Sequence, residues 1–244
     1  MKPFLLLATR AEDAPADDEY RAMLQYSGLA PTDLVRHRLE RDPLPRMDLD
    51  AWSGIILAGG PFNASDPPAS KSAAQLRVES ELHGLLNQVV PADFPMLGAC
   101  YGIGTIGTHQ GGLVDTTYSE PVSCVQITLT EHGRADPLFD GVPSTFGAFV
   151  GHKEAISRLP DNAVHLAGSA ECPVQAFKVG QNVYATQFHP ELDSRGIDVR
   201  VDAYQHHGYF HPREVAGLKA MGRAASIPYA GRMLEAFARR YAQD

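Results

Sequence analysis

The stretch Pro95-Met96-Leu97-Gly98-Ala99-Cys100-Tyr101-Gly102 runs an apolar, strand-like segment straight into a thiol flanked by small residues and then into a candidate helix. Small neighbours allow a sharp strand-to-helix turn that lifts the central side chain above a sheet, as in the nucleophile elbow of hydrolases. A thiol at a helix N-terminus sits in positive potential, which favours thiolate, and the unpaired amides beside it can hold an oxyanion. Cys100 is therefore a candidate nucleophile for acyl transfer. Taken alone, the segment also fits a small apolar cysteine at the end of a core strand.

Such a nucleophile needs a base, and the base needs an orienting partner. Gln187-Phe188-His189-Pro190-Glu191 offers both: an apolar run carries His189 to a strand end, and Pro190 stiffens the turn that presents Glu191. Alone, this segment reads as a surface turn; beside Cys100 it completes a catalytic set. A third element, Ile55-Ile56-Leu57-Ala58-Gly59-Gly60-Pro61, breaks a buried strand into two glycines. Glycines there let a backbone amide approach a substrate closely, as an oxyanion hole requires.

Other patterns carry less. Gly102-Ile103-Gly104-Thr105-Ile106-Gly107 is a literal G-x-G-x-x-G after a strand. A dinucleotide fold needs a full helix, a second strand and an acid ~20 residues further on, whereas Gly111-Gly112 ends this helix at once and Asp115 comes too soon. His206, His207 and His211 beside Tyr209 and Phe210 lack a cysteine or acid at ligand spacing and read as a partly exposed helix end, so no metal site is expected. Cys124 and Cys172 read as structural, and Trp52 as packing.

The elements that must position these groups alternate as in an α/β fold. Strands are expected at Phe4–Thr9, Asp33–Leu39, Gly54–Ala58 and Pro95–Ala99, with helices at Asp17–Tyr26 and Ala69–Val90. Beyond Gly111-Gly112 come closely spaced runs at Val122–Thr130, Thr145–Val150, Ala163–Ala167, Val174–Val179 and Asn182–Phe188, read as a mixed or antiparallel extension of the same sheet. Helical texture returns at Arg195–Tyr204, Arg213–Arg223 and Ile227–Tyr241, the last amphipathic and expected to dock on its own domain. The expectation is a three-layer, mostly parallel α/β sheet with helices on both faces, in one domain over 1–244, with a core at 1–193 and a helical extension at 194–244.

Composition bounds the function. The chain has 244 residues, 44% of them apolar, and a net charge of −8 with no basic run, which disfavours nucleic acid as a partner. Three cysteines do not make a disulfide framework, no apolar stretch reaches bilayer length, and the first residues read as a strand rather than a signal peptide. A soluble, cytoplasmic protein without membrane contact is expected.

These residues resemble the class I (triad-type) glutamine amidotransferases, a flavodoxin-like family that includes the glutaminase part of GMP synthase. The resemblance rests on Gly59-Gly60-Pro61, Gly98-Ala99-Cys100-Tyr101-Gly102, Gly151-His152 and Gln187-Phe188-His189-Pro190-Glu191, in the family's order, and spans the chain to about Asp193. It implies Cys100 as nucleophile, His189 as base, Glu191 as its orienting partner, and the amides of Gly60 and Tyr101 as oxyanion donors. Gly59, Gly151 and His152 would border the substrate. No cofactor is implied. Family members pass ammonia to a synthetase domain or subunit; this chain carries no G-x-x-x-x-G-K-[ST] sequence, so a separate partner would supply the acceptor chemistry. Two positions depart from the family: Gly104 stands where a glutamine is usual, and Gly151 where a serine precedes the histidine. Glutamine hydrolysis, hydrolysis of another γ-glutamyl amide or isopeptide without ammonia transfer, and a non-catalytic binding protein of the same fold are the three readings.

Overall fold

The computed structural model describes residues 1–206 and 210–243. The first half alternates as β1 (Phe4–Ala8), α1 (Asp13–Ser27), β2 (Leu34–Arg38), β3 (Gly54–Leu57), α2 (Ala73–Val89), β4 (Met96–Ala99) and α3 (Tyr101–His109). Helix α1 begins a turn earlier than its pattern predicts. Pro15 sits in its first turn, where a missing N–H costs nothing, and Gly28 closes it at φ 71° with its N–H on Leu24 O. Helix α2 starts only at Ala73, where the Ser72 side chain accepts the Gln75 N–H.

The second half contributes β5 (Leu113–Asp115), β6 (Glu120–Leu129), the short α4 (Glu131–Ala135), β7 (Thr145–His152), β8 (Ala155–Arg158), β9 (Ala163–Gly168), β10 (Ala176–Val179) and β11 (Val183–Thr186). Three helices follow: α5 (Ser194–Tyr204), α6 (Val215–Ala224) and α7 (Arg232–Tyr241). Nine strands form one sheet in the order β2-β1-β3-β4-β11-β10-β9-β6-β7. From β2 to β11 neighbours are parallel, and from β11 to β7 they are antiparallel, so the expected extension is present and the sheet is mixed. A separate β5-β8 ribbon has no counterpart in the sequence expectation, because strands of three and four residues show no period to read.

Side chains alternate across the sheet and build two cores. Phe4 and Leu6 of β1 join Met23 of α1 and Met233, Leu234 and Phe237 of α7 on one face. Leu5 and Leu7 join Val78, Leu82 and Leu86 of α2 and Ile103 and Ile106 of α3 on the other. Helix α7 thus closes the first face, with the Phe4 and Phe237 rings 6.0 Å apart. A third cluster sets Ile197 and Val201 of α5 against Phe149 of β7, with Leu218 and Met221 of α6 packed over it.

Candidate active site

Cys100 sits between β4 and α3 at φ 51°, ψ −90°, a conformation that L-residues rarely adopt and that marks a strained turn. The turn closes because Gly98 and Gly102 face each other across it: a Cβ on Gly98 would lie 2.9 Å from Gly102 Cα. The Cys100 N–H is fixed on Thr186 O at 2.7 Å, which ties the elbow to the end of β11. The chain leaves β11 at Thr186, and three residues further on the His189 N–H bonds Phe149 O at 3.0 Å. Adjacent parallel strands therefore deliver the thiol and the imidazole to one end of the sheet.

His189 Nδ1 lies 2.9 Å from Glu191 Oε1, and Glu191 has no solvent exposure. Arg200 of α5 reaches both: Nη2 donates to Glu191 Oε1 at 2.6 Å, and Nη1 lies 3.2 Å from His189 Nδ1. The same guanidinium reaches Glu19 of α1 at 3.2 Å, and Glu19 also accepts from Arg10 Nε at 2.9 Å. Arg10 Nη1 in turn donates to the Tyr204 hydroxyl at 3.2 Å. Glu19, Glu191, Arg10 and Arg200 form a hydrogen-bonded, largely buried base beneath His189, which Tyr204 extends to Glu12 at 3.1 Å, and burial pushes the Glu19 carboxyl up. Arg10, Glu19, Arg200 and Tyr204 are absent from the sequence expectation.

The electrostatics set the resting protonation. Burial pushes the Cys100 thiol up to about 12, the guanidiniums of Arg10 and Arg200 opposing and Glu191 adding to it. Burial lowers the His189 imidazole to about 4, against the pull of Glu191. Burial also works against ionising Glu191, but His189 and Arg200 outweigh it and hold that carboxyl well below the usual range. Burial thus opposes the thiolate that the helix terminus favours, and in both groups it favours the neutral form, thiol and imidazole.

The glycines predicted beside the site make room for it. A Cβ on Gly59 would lie 2.6 Å from His189 Cε1 and 3.3 Å from Cys100 Cβ, and one on Gly60 would collide with Thr9 Oγ1. Tyr101 opens α3, so its backbone N–H belongs to the unsatisfied first turn. His152 is tied inward, Nδ1 on Glu154 O and Nε2 on Glu120 Oε2, both at 2.9 Å. The two departures from the family pattern are each filled by a neighbour. A Cβ on Gly104 would lie 2.9 Å from Glu154 Oε1, a carboxylate held by the amides of Ala64 and Ser65, both at 2.7 Å. A Cβ on Gly151 would lie 3.0 Å from Val122 Cγ2.

Two cavities meet at Gly60, Cys100 and Gly151. The smaller, about 280 Å³ including its open mouth, has Asn63, Lys153, Glu154 and Gln187 in its wall beside Phe62 and Tyr101. Gln187 Oε1 is buried and without a hydrogen-bond partner among the described residues. The larger, about 550 Å³ including its open mouth, contains His189 over Arg10, Arg200 and Tyr204 and is otherwise apolar.

Glu120, His152 and Cys172 bring ligand atoms within 4.8 Å of one another, the group among the described residues that could hold a metal ion. Their atoms already serve internal bonds: Gln175 Nε2 donates to Glu120 at 2.6 Å, and Cys172 Sγ to Val174 O at 3.5 Å. His211 caps a short helical turn by accepting the Arg213 N–H at 3.2 Å, while His207 and Tyr209 lie outside the described residues. No helix among the described residues is long and apolar enough to cross a membrane.

Known proteins agree with this architecture. The family description "Glutamine amidotransferase class-I" matches residues 25–215. A GMP synthase from Porphyromonas gingivalis, glutamine-hydrolyzing by name, is 33% identical over 147 residues, 59% of this chain and 26% of that protein. The chain thus spans about a quarter of that relative's length. One subunit of the glutamine-hydrolyzing GMP synthase from Methanobrevibacter smithii is 31% identical over 170 residues, 69% of this chain and 77% of the relative. A glutamine amidotransferase structure from Thermotoga maritima shares the fold at a TM-score of 0.72 and 16% identity, covering 98% of this chain and 99% of that one. With the match over residues 25–215 and the shared fold, the chain belongs to the class I glutamine amidotransferase family.

Proposed function

We propose that this protein hydrolyses the γ-carboxamide of a γ-glutamyl compound, glutamine being the simplest, through a thioester on Cys100. The observation that carries the reading is the elbow: a strained cysteine at a helix N-terminus sharing a cavity with a histidine whose far nitrogen is bonded to a buried carboxylate. His189 Nε2 takes the thiol proton as Sγ adds to the amide carbon, which avoids a free thiolate. Amides of Gly60 and Tyr101 receive the oxyanion, and His189 returns its proton to the departing nitrogen. Water, deprotonated by His189, then releases glutamate and restores the thiol. Glu191 holds the imidazole tautomer, and Arg200 holds Glu191.

The smaller cavity suits the amino-acid end of the substrate, with the unpartnered Gln187 Oε1 and the Glu154 carboxylate for an ammonium and Lys153 for a carboxylate. We read residues 1–244 as one amidotransferase-like domain, with 194–244 as a helical extension closing the site. When glutamine is the substrate, ammonia leaves for a separate acceptor enzyme of synthetase type. The three free thiols fit a cytoplasmic setting.

The test is release of glutamate and ammonia from glutamine by the purified protein, with Cys100→Ala alongside. Cys100-dependent release is expected, with the variant's circular dichroism unchanged. Activity retained in Cys100→Ala would sink the reading.

A further inference from the structure

We infer that the apolar cavity beside His189 takes the amine half of the substrate, and that the preferred substrate is a secondary γ-glutamyl amide whose nitrogen carries an apolar substituent. The inference rests on the hydrolase reading above and names the substrate class of that site.

The geometry divides the substrate in two. The carbonyl oxygen must face Gly60 and Tyr101, and the nitrogen must face His189 to be protonated as it leaves. Tyr101 and Glu154 belong to the small cavity, His189 to the large one, and Cys100 lies on the boundary. The acyl half therefore occupies the first and the amine half the second. On the measure by which one water, or one ammonia, needs ~10–15 Å³, the cavity before it offers about 60 Å³.

Its wall decides the chemistry. Val122, Val150, Leu192, Ile197, Val201 and Phe210 line it. The two arginines at its base already donate to Glu19, Glu191 and Tyr204, so their N–H groups are engaged within the protein rather than turned to an ionic substituent. Gly151 adds to the apolar character: a side chain there would press on Val122, so the family's serine is replaced at this wall by a valine methyl. In the reaction the C–S bond forms first, giving the oxyanion; as it collapses the C–N bond breaks, the His189 proton passes to nitrogen, and a neutral primary amine leaves. Water then yields glutamate.

The experiment compares kcat/KM for glutamine and for the γ-glutamyl methyl, butyl and benzyl amides, with two further amides of matched length ending in a carboxylate or an ammonium. The expected result is a rise of about fourfold per added methylene, as apolar burial gives, with both charged analogues below the butyl amide. Val122→Thr, which keeps shape and adds a hydroxyl, is expected to lower the butyl-to-glutamine ratio about threefold at an unchanged melting temperature. Cys100-dependent turnover that favours glutamine or a charged analogue overturns this inference and leaves the hydrolase reading standing. Failure to cleave any of the amides, with Cys100 unlabelled by a glutamine-like diazoketone, overturns both.

Discussion

One oxygen of Glu191 serves two partners: Arg200 Nη2 at 2.6 Å and His189 Nδ1 at 2.9 Å. The carboxylate is fully buried, so the guanidinium lets it remain charged where His189 alone would leave it half-paired. Arg200→Ala is expected to lower kcat about 10- to 100-fold, the worth of a charged hydrogen bond, with Arg200→Lys in between. The positive charge of Arg200 also depresses His189, so the acid limb of the pH–rate profile moves upward in Arg200→Ala. A profile of unchanged shape would show that Arg200 acts only in packing.

The desolvation of the half-buried Cys100 thiol gives a second expectation. With Cys100 raised to about 12, its thiolate fraction at neutral pH is far below that of a free cysteine. Alkylation of Cys100 by iodoacetamide should climb about tenfold per pH unit past pH 9, where an ordinary thiol levels off. A plateau near neutrality, read by mass spectrometry of the labelled peptide, would show a resting thiolate instead.

His189 makes stability depend on pH. Its pKa is about 4 in the folded chain and ~6.5 when unfolded, so below ~6.5 the unfolded state binds the extra proton and stability falls as pH drops. The loss approaches about 3 kcal/mol by pH 4 and is absent above pH 7. Urea unfolding of wild type and His189→Gln at pH 7 and pH 4.5 measures it, the variant losing less on acidification.

Gly104 and Glu154 form a size-matched pair. Gly104→Gln puts a side chain where Glu154 Oε1 stands, at an expected cost of about 1–3 kcal/mol. Glu154→Ala in the same chain should recover most of it. Denaturation midpoints decide the point, and additive losses would show that the two positions do not meet.

Phe237 tests the docking of α7. It is fully buried against Phe4, and Phe237→Ala should destabilise the fold by about 3–5 kcal/mol. A melting-temperature change near zero would mean that α7 does not close this face.

The sequence made the elbow and the His-Pro-Glu turn legible because small residues and proline mark backbone shape locally, and both segments lie where those marks predict. The charged base of the site was not legible. Arg10 lies in a loop after β1 and Arg200 on a helix among other charges, and no spacing relates either to Glu191; only the packing of α5 on α1 brings them together. The pairing of Gly104 with Glu154 was hidden for the same reason, since complementarity of volume leaves no periodic trace. The desolvation that opposes ionising Cys100 was not legible either, because a local rule about helix ends carries no information on what packs over the turn.

The parallel neighbours β4 and β11 also govern the order in which the site comes into being. Between Ala99 and Val183 the chain lays down the whole antiparallel half of the sheet, and β4 keeps one open edge until β11 arrives. Joining them closes a long loop, a slow and late event next to the local turns. During synthesis, therefore, a chain not yet extended past Val183 carries Cys100 without His189, and on the proposed reading the site is incomplete until β11 has joined the sheet.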